Sequence, residues 1–150
     1  MRNRLLSGLL FMAFTVLTPG LSSAAQDTIG IVRHLSGQAT VTRGGKVFPA
    51  AVGTKLVVDD TLSTGANGSM GVILRDNSTL SIGPGSSLVV RSFLFSPADG
   101  KYGLLVRLSR GTMAYLSGLI GKLAPESARF ETPVASIGIR GTRFLVKLDE

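Results

Sequence analysis

The sequence predicts an all-β domain, a compact β-roll or solenoid-like stack of short strands, and three observations carry that expectation. Apolar residues alternate with polar ones at period two. Ala39 and Val41 stand among Gln38, Thr40 and Thr42; Met70, Val72 and Leu74 among Ser69, Gly71 and Arg75; Leu80 and Ile82 among Thr79 and Ser81. Turn-forming clusters separate these runs: "RGG" at 43–45, "STGANGS" at 63–69, "RDNS" at 75–78, "GPGSS" at 83–87 and "SPADGK" at 96–101. Their spacing of roughly eight to twelve residues suits an all-β domain. No segment keeps a convincing helical period, and the best candidate, Met113 to Leu123, carries Gly118 and Gly121 and reads as strand or irregular before helix.

The first residues carry a different message. In "MRNRLLSGLLFMAFTVLTPGLSSAAQ", Arg2 and Arg4 form a positive start, Leu5 to Leu17 an apolar stretch, and Ser22-Ser23-Ala24-Ala25 a run of small residues suited to cleavage. Residues 1–24, or to 25, are therefore expected to be a signal peptide and residues 25–150 the mature domain, in the periplasm or secreted. A retained anchor is the alternative, although the apolar stretch falls short of the ~20 residues that span a bilayer comfortably. Arg107 and Arg110 interrupt the only other long apolar stretch, so no span is expected after cleavage.

The remaining chain suits one domain with one core. The absence of cysteine excludes disulfides, thiolate chemistry and cysteine-ligated metal. The formal charge of +7 falls to +5 once Arg2 and Arg4 are removed, and the basic residues are dispersed. With no Lys/Arg cluster and few aromatics, nucleic acid is not expected as a partner. Anionic envelope polymer or an acidic protein surface is the more natural counterpart of such a charge.

Two turns repay closer reading. If Leu74 and Leu80 face one core from adjacent strands, the loop between them holds an odd number of residues, most simply Asp76-Asn77-Ser78, with Asn77 suited to a left-handed position. A corner between stacked sheets is the alternative. Near the C-terminus, in "TPVASIGIRGTRFLVKL", the small and apolar set Ala135, Ile137, Ile139 resumes at Phe144, Val146, Leu148 on the opposite parity. A β-bulge or sharp corner at Arg140-Gly141-Thr142 would restore the phase. Asp60, Gly65, Asp76, Asn77 and Gly141 are thus the expected structural corner or turn residues.

Little in the chain suggests catalysis. The single histidine, His34, lies in the first predicted strand with no G-x-S-x-G elbow to accompany it, and "GPGSS" lacks the lysine of a phosphate loop. Asp59-Asp60 and Asp76 read as turn formers before paired carboxylates, and nothing matches a calcium loop. Asn67 and Asn77 head sequons that a bacterial domain would leave bare. No catalytic residue, cofactor or metal ligand is assigned.

The stretch "TPVASIGIRGTRFLV" resembles the closing signature of the FecR domain, which runs T-P-x-A and then R-G-T-x-F-x-V. Upstream, "LSGQATVTRGGKVFPAAVGTKLVVDDTLSTGANGSMGVILRDNSTLSIGPGSSLVV" resembles the family's G-x-V-x-V start, its Asp before T-x-x-T-G, its D-G-S-like turn and its P-x-S-x-L, so the resemblance runs from about Ile29 to Val146. Asp76-Asn77-Ser78 replaces D-G-S, and Asp59 stands where the family usually has Gly. The resemblance implies a sensory or protein-binding module with an envelope protein partner, related to sigma-factor regulation. Sensors of that type add a cytoplasmic segment, a membrane span and a further periplasmic region, none of which is expected here. Arg140 and its neighbour Arg143 are the candidate binding residues. Arg140 could hold an anion through its planar fork, or pair internally with an acid such as Asp60.

Overall fold

A computed structural model describes residues 26–139 and 141–149; the expected signal peptide and Arg140 lie outside the described residues. Along the chain run β1 (Gly30–Ser36), β2 (Ala39–Arg43), β3 (Lys46–Pro49), β4 (Lys55–Leu56), β5 (Thr61–Thr64), β6 (Ser69–Leu74) and β7 (Thr79–Ile82). They are followed by β8 (Ser87–Ser96), β9 (Lys101–Arg110), β10 (Thr112–Leu116), a short helix α1 (Leu119–Leu123), β11 (Ala128–Glu131), β12 (Ser136–Gly138) and β13 (Arg143–Lys147). The strands form a six-stranded sheet, β13-β10-β7-β6-β1-β4, and a seven-stranded sheet, β12-β11-β9-β8-β5-β2-β3. The chain passes back and forth between the two, so both sheets are assembled together as a stack of short strands. Every pairing is antiparallel except β9 with β11, which is the pair separated by β10 and α1.

Period-two alternation does the sorting. On β6, Met70, Val72 and Leu74 are buried while Ser69, Gly71 and Ile73 are only half-buried. Leu80, Ile82, Met113 and Tyr115 continue that inner face, and Val41, Leu62, Leu88, Val106, Leu108 and Phe130 meet it from the other sheet in one continuous cluster. Tyr115 and Phe144 of the six-stranded sheet close on Phe130 of the other with ring centroids 4.7 and 4.6 Å away. Such tilted and edge-on aromatic pairs add about 0.5–1.5 kcal/mol each beyond area burial.

Loop chemistry explains the turns. Gly44 and Gly45, both at positive φ (55° and 79°), join β2 to β3 in a two-residue hairpin whose two left-handed positions favour glycine. The β6–β7 hairpin pairs Val72 with Leu80 and Ile73 with Thr79, and Leu74 N–H donates to Ser78 O at 2.9 Å. The loop is therefore Arg75-Asp76-Asn77, one residue earlier than Asp76-Asn77-Ser78, because Leu74 faces Ser78 rather than Leu80. Asn77 sits at φ 66°. Asp59, at φ 70°, occupies a left-handed turn position that glycine would enter without strain.

Tertiary structure corrects one further expectation and decides between the two alternatives of another. The stretch Met113 to Leu123 divides into strand β10 and helix α1, whose N-terminus is capped from a distant turn. The phase change near the C-terminus is a change of sheet: β12 pairs with β11 in the seven-stranded sheet and β13 with β10 in the six-stranded one. Gly141, at φ 95°, lies in the passage between them.

Candidate functional site

Three groups of polar side chains are organised enough to ask what they do. The first is buried at the tip of the β6–β7 hairpin. Asp76 and Ser78 are both 0% exposed. The Asp76 carboxylate accepts the Ser78 N–H at 3.0 Å, the Ser78 hydroxyl at 2.6 Å and, across 44 residues of sequence, the Ile120 N–H at 3.1 Å. The Asp76 carbonyl accepts Leu119 N–H at 2.8 Å. Ser78 Oγ also accepts the Gly118 N–H at 3.1 Å and lies 3.1 Å from the Tyr115 hydroxyl. The carboxylate and the carbonyl together satisfy the first amides of α1, which has no side-chain cap of its own. Burial pushes the Tyr115 phenol above its ordinary value, partly offset by its hydrogen bond with Ser78. Buried and with both oxygens engaged, Asp76 holds a hairpin, a strand and a helix together.

The second group lies before β5. Asp60, 2% exposed, accepts Arg43 Nε at 2.8 Å, Arg43 Nη2 at 2.6 Å and Val57 N–H at 2.9 Å. The internal ion pair of Asp60 is thus made with Arg43 at the end of β2. The hydrogen bond to Asp60 holds the Arg43 guanidinium above its ordinary value against some desolvation. Arg43 also donates to Lys55 O at 2.9 Å and stacks over Phe48, 5.5 Å from the ring centre. This fork locks the β2–β3 hairpin to the turns around β4.

The third group is open. Arg107 on β9 reaches Glu131 on the parallel neighbour β11 at 2.8 Å. Beside the pair, Thr132, Pro133, Val134 and Ser136 line an open groove of about 560 Å³. Thr132 Oγ1 accepts Val134 N–H at 3.3 Å and Ala135 N–H at 3.0 Å, which shapes the loop and leaves Val134 88% exposed.

The residues singled out from sequence therefore do not converge on one place. Asp60 and Asp76 sit in separate turns with separate partners. Gly65 links the turn after β5 to two others: its N–H donates to Gln38 O at 2.8 Å and its carbonyl accepts Gly68 N–H at 3.0 Å and Gly85 N–H at 2.9 Å. Gly141 and Arg143 flank the entry to β13, where Arg143 is exposed. Arg140 is outside the described residues. His34 is exposed on β1. Among the described residues no three His, Cys, Asp or Glu side chains gather as a metal site, and no helix is long and apolar enough to cross a membrane. Sequence reasoning missed Ser78, Tyr115, Arg43 and the Arg107–Glu131 pair. For Ser78 the D-N-S triplet is a usable signal; the others become partners only through tertiary pairing.

A family model described as FecR protein matches residues 60–150. Strands β1 to β4 precede the matched segment yet are hydrogen-bonded into its sheets, β1 to β6 and β2 to β5. No curated protein and no solved structure gives a significant match.

Proposed function

Since this chain belongs to the FecR protein family, a family of regulatory and sensory domains, we propose that it is an exported, non-enzymatic module that binds a protein partner in envelope signalling related to sigma-factor regulation. The observation that carries this reading is the division of its polar groups. Of the buried ones, Asp76, Ser78 and Asp60 are consumed by the fold, whereas the sheet margins carry exposed apolar side chains, Val134 at 88% and Leu145 at 67%. A stable scaffold with apolar residues at its open margins suits recognition of another protein. Export rests on the N-terminal pattern, and the expected mature domain begins at residue 25.

The dispersed positive charge favours a second reading, an envelope structural protein that holds anionic cell-wall polymer or lipopolysaccharide. Affinity capture from the host's own envelope extract, washed at low and then high salt, separates the two. A stoichiometric protein retained at high salt supports the partner-binding module, because a strand-edge or apolar interface is weakly screened. Recovery of polymer alone, lost in salt, overturns it. N-terminal sequencing of the protein from the envelope fraction tests cleavage: a start near Ala25 is expected, and an intact Met1 contradicts export by a cleaved signal.

A further inference from the structure

The free edge of the six-stranded sheet has a recognition pattern written into it. Strand β13 lies at that edge, paired on one side to β10. Ser117 N–H donates to Thr142 O at 2.8 Å and Leu148 N–H to Gly111 O at 2.9 Å, which sets the phase of the ladder. Phe144 and Val146 therefore exchange their backbone bonds with Tyr115 and Met113, while Arg143, Leu145 and Lys147 aim N–H and C=O away from the sheet. Among the described residues no strand pairs with that outward side. The side chains of the same three residues lie on the outer face, all exposed, Leu145 at 67%. The neighbouring outer row on β10 is Thr112, Ala114 and the exposed Leu116, which leaves room beside Leu145.

We propose that this edge takes up an extended segment of a partner protein carrying an aliphatic residue flanked, two positions away on each side, by Asp or Glu. The segment adds a seventh strand to the sheet. This deepens the partner-binding reading and rests on it. Backbone bonds to residues 143, 145 and 147 supply the register, Leu145 packs against the aliphatic residue, and Arg143 and Lys147 meet the two carboxylates. The pattern is the same read in either direction, so parallel and antiparallel addition both satisfy it.

Charge argues against a second copy as the occupant. Antiparallel self-pairing of β13 places Arg143 opposite Lys147, which like charges disfavour. Nor do residues 1–150 supply the complementary segment, because no two of their nine acidic residues stand four apart. Lys147 keeps one contact to Asp149 at 3.7 Å, with both side chains largely exposed, a pairing weak enough to exchange.

The test uses the full chain and a terminally blocked, fluorescent peptide with Glu-Thr-Val-Thr-Glu at its centre, read by anisotropy. A Lys-Thr-Val-Thr-Lys peptide is the counterpart. The parent is expected to favour the acidic peptide by roughly tenfold, from two cross-strand pairs that turn from attractive to repulsive. The Arg143→Glu/Lys147→Glu protein is expected to reverse that preference. Leu145→Pro removes an outward N–H and no bond to β10, so it is expected to abolish binding of either peptide while melting stays within a few degrees. Should that variant unfold, a Glu-Thr-Pro-Pro-Glu peptide, which lacks the N–H that faces the Leu145 carbonyl in antiparallel and in parallel addition alike, makes the same test from the other side. Absence of binding by the parent overturns the proposal. Binding that survives Leu145→Pro or the proline peptide also overturns it, and leaves charge attraction to an anionic surface as the explanation. Retention of an envelope protein by the charge-reversed protein would overturn this edge while leaving the partner-binding reading intact.

Discussion

Replacing Asp76 by Ala tests whether one buried carboxylate holds the end of the molecule together. The substitution strands two buried amides, Ser78 N–H and Ile120 N–H, whose acceptors at 3.0 and 3.1 Å disappear. Ser78 Oγ keeps the Tyr115 hydroxyl and the Gly118 N–H, so its loss is partial. Each stranded buried donor costs about 1–3 kcal/mol, so the expected destabilisation is about 3–4 kcal/mol after some local relaxation. At ~4 °C per kcal/mol for a chain of this size, the melting temperature falls by roughly 12 to 16 °C. Urea unfolding followed by far-ultraviolet circular dichroism measures it, with an unchanged slope showing that the native state is still compact. Asp99→Ala is the control, since that exposed carboxylate meets only Ser96 Oγ, and it should stay within about 0.5 kcal/mol. A loss at Asp76 below about 1 kcal/mol, or no larger than at Asp99, would refute the capping argument.

Three more outcomes follow from the same geometry. Gly118→Ala builds a Cβ 2.3 Å from Asp76 O and Ser78 N, both backbone atoms of the hairpin, so a loss of about 1–3 kcal/mol in urea unfolding is expected; Gly138→Ala, with nothing within 4 Å, should be near neutral, and equal effects would contradict the crowding. Arg43→Met leaves the buried Asp60 with Val57 N–H alone and should cost about 2 kcal/mol, discounted for the part-exposed arginine; the double variant with Asp60→Ala should cost less than the sum, and strict additivity would count against the pair. In a Tyr102→Phe background, the phenolate absorbance of Tyr115 should rise only above the ordinary phenol range. Because the folded-state value is raised, the stability tied to it is whole below the unfolded value of about 10 and is lost as pH climbs toward the folded one. A Tyr115→Phe protein should lack that part of the alkaline decline, and an identical decline would show the phenol is not its source.

Strands whose inner face is apolar and outer face polar were open to reading. β6 and β7 show their alternation residue by residue, and the hairpin turns beside them use residues that tolerate positive φ. What hides in the sequence is what depends on partners far along the chain. Helix α1 has five residues and no periodicity to betray it; it forms because Asp76, in a turn 44 residues earlier, caps its first amides. The phase change before Phe144 looks the same whether it marks a bulge in one sheet or a passage to another, since parity records only which side faces the core. The sequence pattern puts the β6–β7 loop one residue too late for a related reason: Leu74 and Leu80 share an inner face without being opposite each other. Arg43 and Asp60 carry no local sign of pairing, and Arg107 meets Glu131 only because β9 and β11 run parallel.

The claim that the fold is a scaffold and its β13 edge the recognition surface is tested most directly by residue-resolved amide exchange, in the free chain and with a captured envelope partner bound. In the free chain, Phe144 and Val146 should be protected while Arg143, Leu145 and Lys147 exchange quickly. With partner bound, those three should become protected and the amides of Ser78 and Ile120 should not change. Protection that appears elsewhere and leaves residues 143, 145 and 147 exchanging freely would contradict the account.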